Sequence, residues 1–236
     1  MAGDVRVTSL ETTAAAAPAG GVAEHRLCPP LQGSALALSL LRLDPGASFR
    51  LTDADADTAL LATAGSGTLG ADELPAWSAA LVPAGEPAEV VTGAHGLELV
   101  RATAGPDCDR HAPLGPAGGI VRAEEAGAGA ATGRRSFQIL LGPENGCTRA
   151  TLFLGRIPPG AAPWHYHLYD EIVWVPAGPG RLHLEGRTEE LGPGSAFRLR
   201  PRELHVVENA GSAEMTVLGL FTPAGSPAAA YLPRER

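Results

Sequence analysis

Short apolar runs, each followed closely by glycine or proline, set the rhythm of this chain: SALALSLLRL, TALLATAG, AALVPAG, ATLFLGRI, EIVWVPAG and MTVLGLF. Each run has the length of one strand, and turn residues at such regular spacing predict an all-β sandwich or barrel. No sustained 3.6-residue periodicity competes with that reading. Two stretches lack the runs. Residues 104–134 contain only a brief GIV and read as a linker between domains, and residues 1–30 read as a loose N-terminal arm.

Dividing the chain at that linker exposes an internal repeat. LLRLDPGASFRL at 40–51 matches LGRIPPGAAPWH at 154–165, which sets Gly46 on Gly160. LVPAGEPAEVVTGA at 81–94 matches LRPRELHVVENAG from 199, which sets Ala88 on His205. The chain is therefore expected to hold two versions of one module, 31–103 and 135–236.

The polar chemistry concentrates in PWHYHLYDEIVWV, residues 163–175. Side chains alternate faces along a strand, so His165, His167 and Glu171 point the same way if one strand carries all three. Imidazole nitrogen and carboxylate oxygen suit a borderline divalent ion such as Fe, Mn, Ni, Co, Cu or Zn. Structural zinc would more typically recruit cysteine, and none lies nearby. Three groups on one strand cannot surround an ion. His205, after the turn LGPGS, is the residue that a returning antiparallel strand would place opposite the first two histidines.

These residues resemble the two motifs of the cupins. Gly160, His165, His167, Glu171 and Gly178 follow the first motif with an initial spacer one residue short. Gly194, Pro201, His205 and Asn209 follow the second, with Arg202 where many cupins have a turn glycine. The resemblance covers residues 136–223 directly and 31–103 through the repeat. It implies two tandem cupin barrels, of the double-stranded β-helix or jelly-roll type, with His165, His167, Glu171 and His205 as metal ligands in the second. Counted from the shared glycine, the corresponding positions of the first half are Leu51, Asp53, Asp57 and Ala88, so that half is expected to be degenerate. DADAD at 53–57 lacks the glycine and glutamate of a calcium loop and reads as solvated acids.

Around the ligands, Trp164, Tyr166 and Trp174 have the opposite parity and are expected to pack on another sheet, the other half or a second subunit. Tyr169 shares the ligands' parity and, with Phe197, is the candidate for contact with substrate. His183 alternates with Leu182 and Leu184 and is expected at the surface. Arg198 and Arg200 alternate with Phe197 and Leu199 and carry no indication of an anion site.

Charge and composition narrow the partners. The net charge of -8, with arginine as the basic residue throughout and no basic cluster, argues against nucleic acid. No apolar run approaches the roughly 20 residues of a membrane helix, and the opening lacks signal-peptide character, so a cytoplasmic protein is expected. Cys28, Cys108 and Cys147 are scattered and read as reduced bystanders. Open sheet edges and surplus aromatics suggest a homodimer.

Three histidines and a glutamate leave two adjacent positions on an octahedral ion, enough to chelate a small oxygenated substrate. Such a centre can activate dioxygen or act as a Lewis acid. The resemblance to flavonol dioxygenases leans toward a metal-dependent oxidation. A non-redox isomerase, lyase or decarboxylase on a sugar acid or keto acid is the alternative, and a non-catalytic module that binds a small ligand is a second.

Overall fold

The computed structural model describes residues 7–16 and 19–233. Its elements are almost entirely strands, with a single short 3-10 turn at Pro143–Asn145 among the described residues. The first eight strands are β1 (Val22–Cys28), β2 (Leu36–Leu43), β3 (Ser48–Leu51), β4 (Asp57–Leu69), β5 (Asp72–Pro75), β6 (Ser78–Val82), β7 (Ala88–Ala104) and β8 (Ile120–Arg122). They form one antiparallel sheet in the order β1-β2-β7-β4-β6-β8, with β3 on β7 and β5 on β4.

The remaining ten are β9 (Ala128–Ala130), β10 (Ser136–Leu141), β11 (Thr151–Ile157), β12 (Gly160–Ala161), β13 (Asp170–Val175), β14 (Gly180–Leu184), β15 (Arg187–Leu191), β16 (Ser195–Leu199), β17 (His205–Asn209) and β18 (Met215–Thr222). They make a six-stranded sheet, β16-β13-β18-β11-β10-β9, and a four-stranded one, β12-β17-β14-β15. Val173, Val175, Leu182, Phe197, Leu199 and Val217 fill the space between these two sheets. This is the jelly-roll arrangement of a cupin-like fold.

The apolar runs are continuous rather than alternating because both faces of several strands are buried. In β13, Val173 and Val175 face the core just described, whereas Ile172 and Trp174 face the other way. That second face meets Leu36, Leu38 and Leu40 of β2 in a core shared by the two halves. Leu41 and Leu43, of opposite parity in β2, enter a separate core inside the first half. Trp174 thus packs on the other half, one of the three destinations its parity allowed.

Two ionic braces cross the shared core. Arg198 pairs with Asp170 and donates to Ser34 Oγ, and to the carbonyls of Pro29 at 3.1 Å and Leu36 at 2.9 Å. Arg149 pairs with Asp57 at 3.6 Å and donates to the carbonyls of Asp55 and Ala104. Asp57 is consequently buried, unlike the solvated acid expected for the DADAD stretch; Asp53 and Asp55 remain exposed.

Pairing register corrects the sequence alignment of the halves by one residue. Asp57 lies opposite Ala104 and Thr58 opposite Thr103, while Asp170 lies opposite Thr222 and Glu171 opposite Phe221. Thr58 therefore holds the place of Glu171, and Asp57 that of Asp170. Counting from the glycines failed because the chain between β3 and β4 is one residue longer than its counterpart.

The N-terminal stretch is also more integrated than a loose arm. β1 pairs with β2, Leu27 is fully buried, and Thr8 bridges to Ala196. Residues 1–6, 17 and 18 of that stretch lie outside the described residues. Within 104–134, β8 joins the first sheet through β6 and β9 joins the second through β10, so this segment is pinned at both ends.

Candidate metal centre

His165 and His167 do not sit on the strand that carries Glu171. Tyr166 and His165 make isolated bridges, the chain bends at Leu168 and Tyr169, and β13 starts only at Asp170. The shared parity survives because the bend spans an even number of residues. His165 and His205 pair directly, the His205 N–H donating to the His165 carbonyl at 2.9 Å and the reverse bond measuring 3.2 Å. The Arg202 N–H donates to the His167 carbonyl at 2.6 Å. Arg202 adopts φ 66°, the left-handed conformation a glycine would take without strain.

The ligand-capable atoms of His165, His167 and His205 all lie within 4.8 Å of one another. Each Nδ1 is committed to a main-chain carbonyl: His165 to Pro163 at 2.9 Å, His205 to Glu203 at 2.8 Å, and His167 to Ala229 at 3.2 Å. A carbonyl only accepts, so each Nδ1 carries the proton and each Nε2 keeps a lone pair for the common point. Glu171 Oε2 lies 3.8 Å from His167 Nε2. The three imidazoles form the mutually close set, and Glu171 lies beside that set rather than within it.

Protonation matches. Burial pulls His205 down to about 3, aided by the neighbouring His165, and pulls His167 down to about 4. His165 is lowered by burial as well, and the charge of Arg135 acts on all three. The imidazoles are therefore neutral at physiological pH. Burial, and then Asp170, push Glu171 up to about 8. A buried carboxyl group in that condition is the partner a cation would restore to its ionised form.

The centre opens into a cavity of about 90 Å³. Tyr169 forms part of the wall, stacked on His167 at 4.5 Å and on Phe221 at 4.1 Å, and burial holds its hydroxyl protonated. Phe197, expected near substrate, is fully buried in the core between the sheets and does not line the cavity. Leu199, two residues further along the same strand, lines the cavity instead.

Two features of the site had no signal in the sequence reading. Arg135, just ahead of β10, lines the cavity and donates to the Val207 carbonyl; burial lowers its pKa to about 10, so it remains charged. Arg198 and Arg200 instead point to Asp170. The second feature is the C-terminal segment, where Pro227 and Ala230 line the cavity and Tyr231 pairs with Tyr166 through two main-chain bonds, rings stacked at 5.6 Å. Elsewhere, His183 is partly exposed on the outer face of β14, bonded to Glu208 at 2.6 Å.

Residues 153–221, running from β11 to β18 and containing all four candidate ligands, match the family model described as a Cupin domain. No curated protein matches the chain. Among solved structures, a variant of oxalate decarboxylase from Bacillus subtilis has a TM-score of 0.75 at 17% identity, covering 96% of this chain and 78% of that one. Oxalate decarboxylase from Lactobacillus farciminis in complex with formate has a TM-score of 0.76 at 14% identity, covering 96% and 88%. A Bacillus subtilis oxalate decarboxylase structure concerned with Mn(II) centres has a TM-score of 0.74 at 17% identity, covering 93% and 78%. At such identities the likeness is one of fold. Together with the matched segment it supports the cupin superfamily.

Proposed function

We propose that this chain is a metal-dependent enzyme acting on a small carboxylic acid, of the decarboxylase rather than the oxidase type. The observation that carries the reading is the placement of Arg135 in the same small cavity as three neutral imidazoles and a buried carboxyl group. His165, His167, His205 and Glu171 would hold one divalent ion, with Mn favoured by the Mn(II) centres of the fold relative and Fe or Ni also served by the donor set. When bound, that ion supplies Lewis acidity toward a coordinated carboxylate oxygen.

The protein's own groups do the rest. Arg135 offers a forked, permanently charged donor to a carboxylate, and an ion plus Arg135 against the single Glu171 charge leaves positive charge for an anionic substrate to neutralise. Burial of the imidazoles and of Glu171 strengthens those interactions. Tyr169, stacked on His167 in the wall, would shape the space in which the substrate lies.

The reading extends to the chain as a whole: two tandem jelly-roll barrels, 31–103 and 135–236, joined by 104–134, with metal chemistry in the second alone. The repeated pairing register supports it. The test is to load the metal-stripped chain with Mn, Fe, Ni or Zn and supply oxalate, keto acids, diols and catechols. Carbon dioxide released without net oxygen uptake supports the reading. Stoichiometric oxygen uptake on a diol or catechol establishes the dioxygenase alternative, and tight binding without turnover establishes a binding module.

A further inference from the structure

The first half contains a cavity of its own, about 210 Å³, lined by Arg50, Leu51, Thr52, Asp53, Thr58, Arg101 and Thr103. Strand pairing shows what has replaced the metal centre. In the second half Phe153 lies opposite Gly219, where an added Cβ would meet the Phe153 ring at 2.3 Å and Glu171 Oε1 at 3.0 Å. In the first half the same pair reads Ser39 opposite Arg101, and Thr58 takes the place of Glu171. A large ring and a glycine have been exchanged for a small side chain and a guanidinium. The space that holds an aromatic wall and a carboxyl group in one half holds a fixed cation in the other.

That cation is incompletely satisfied. Arg101 Nε is shielded from solvent without a hydrogen-bond partner, and Nη2 forms an ion pair at 3.5 Å with Glu24 Oε1, which is likewise shielded and without a hydrogen bond. Glu24 is itself shared with Arg26. The Phe49 ring, 5.8 Å from the guanidinium carbon, fixes its plane. Asp53 keeps its charge in the lining, with its Oδ1 turned to the N–H groups of Asp55 and Ala56. On a chain of net charge -8, this pocket carries two arginines and three threonines against one carboxylate, Asp53.

We propose that the first half binds a small organic carboxylate, received by the Arg101 guanidinium and the hydroxyls of Thr58 and Thr103. The planar fork of arginine matches the two oxygens of a carboxylate, and a cavity below the usual size for large ligands suits a compact acid. This site uses no residue of the metal centre, so it stands or falls independently of the proposed function.

The test is calorimetric titration of the metal-stripped full chain carrying Arg135→Gln, which silences the second cavity, with acetate, oxalate and inorganic phosphate. Saturable one-to-one binding of a carboxylate is expected, weakened at least about tenfold by Arg101→Gln and unaffected by Arg42→Gln, an exposed residue paired with Glu98. Absence of saturable carboxylate binding, or binding indifferent to Arg101→Gln, overturns the proposal. Binding of phosphate alone overturns the ligand class. Should Arg101→Gln fail to fold, Thr103→Val asks the same question: weaker binding supports the site and unchanged binding overturns it.

Discussion

His167 donates its Nδ1 proton to the carbonyl of Ala229, 3.2 Å away in space and 62 residues further along the chain. Its two fellow histidines use carbonyls only two residues distant, Pro163 and Glu203. One imidazole of the centre is thus oriented by the C-terminal segment. Deleting residues after Gly225 is expected to weaken metal binding by about ten- to a hundredfold, the usual cost of losing an outer partner of a ligating histidine. Competition with a fluorescent chelator would measure it, and unchanged affinity would remove the segment from the site.

Replacing a ligand outright is a larger change. His205→Ala should lower metal affinity by more than about a hundredfold, beyond the range for outer partners, because three donors remain around the ion. Metal analysis of the purified variant decides it. Full occupancy would show that the ion, if any, sits elsewhere.

Arg135→Gln separates substrate binding from metal binding. The variant should keep its metal and raise KM for a carboxylate substrate by roughly ten- to a thousandfold, as expected when a charged hydrogen-bond donor worth about 1.5–3 kcal/mol or somewhat more is lost. An unchanged KM would exclude it as the anion anchor.

Arg202 supplies a stability test. A non-glycine residue in the left-handed region costs roughly 1–2 kcal/mol, so Arg202→Gly is expected to relieve strain while keeping the N–H that holds the His167 carbonyl. Glycine's greater freedom in the unfolded chain offsets part of this gain. A net stabilisation of up to about 1 kcal/mol in denaturant unfolding is the expected result; clear destabilisation would mean that the arginine side chain has a role of its own.

The three cysteines are free and buried. Burial pushes Cys28 up to about 11 and Cys147 up to about 12 against an ordinary value of 9.0. The folded state therefore retains thiol protons that the unfolded state releases above pH 9, so the stabilisation is complete below pH 9 and is lost as pH rises toward 11 and 12. Chemical denaturation across that window should show a falling midpoint. At pH 8 a thiol reagent should modify these residues only after unfolding; rapid labelling of the native chain would contradict their burial.

Much of this site could be read from residue types and spacing. The four candidate ligands stand in two compact motifs, and parity alone put His165, His167 and Glu171 on one side. Parity could not reveal that the chain changes sheets between His167 and Glu171, because a bend of even length leaves the same signature as a continuous strand. Arg135 and Ala229 were invisible for a different reason. Each reaches the centre from a segment without periodic pattern, and Ala229 contributes only a main-chain carbonyl, which no side chain advertises. Phe197 shows the opposite failure, since facing inward does not tell how deep in a barrel a ring lies. The one-residue slip at Asp57 and Thr58 arose in a loop, where length is least constrained.

The shared core beneath Trp174 limits how this gene product can be taken apart. Ile172, Trp174, Leu218 and Leu220 on one side, and Leu36, Leu38 and Leu40 on the other, are each other's shelter. A fragment beginning near residue 135 would present that greasy sheet face to water, together with an Arg198 stripped of Ser34 and the Pro29 and Leu36 carbonyls. Such a fragment would self-associate or precipitate rather than persist as a monomer. The first half therefore shelters an apolar face of the half that carries the candidate ligands.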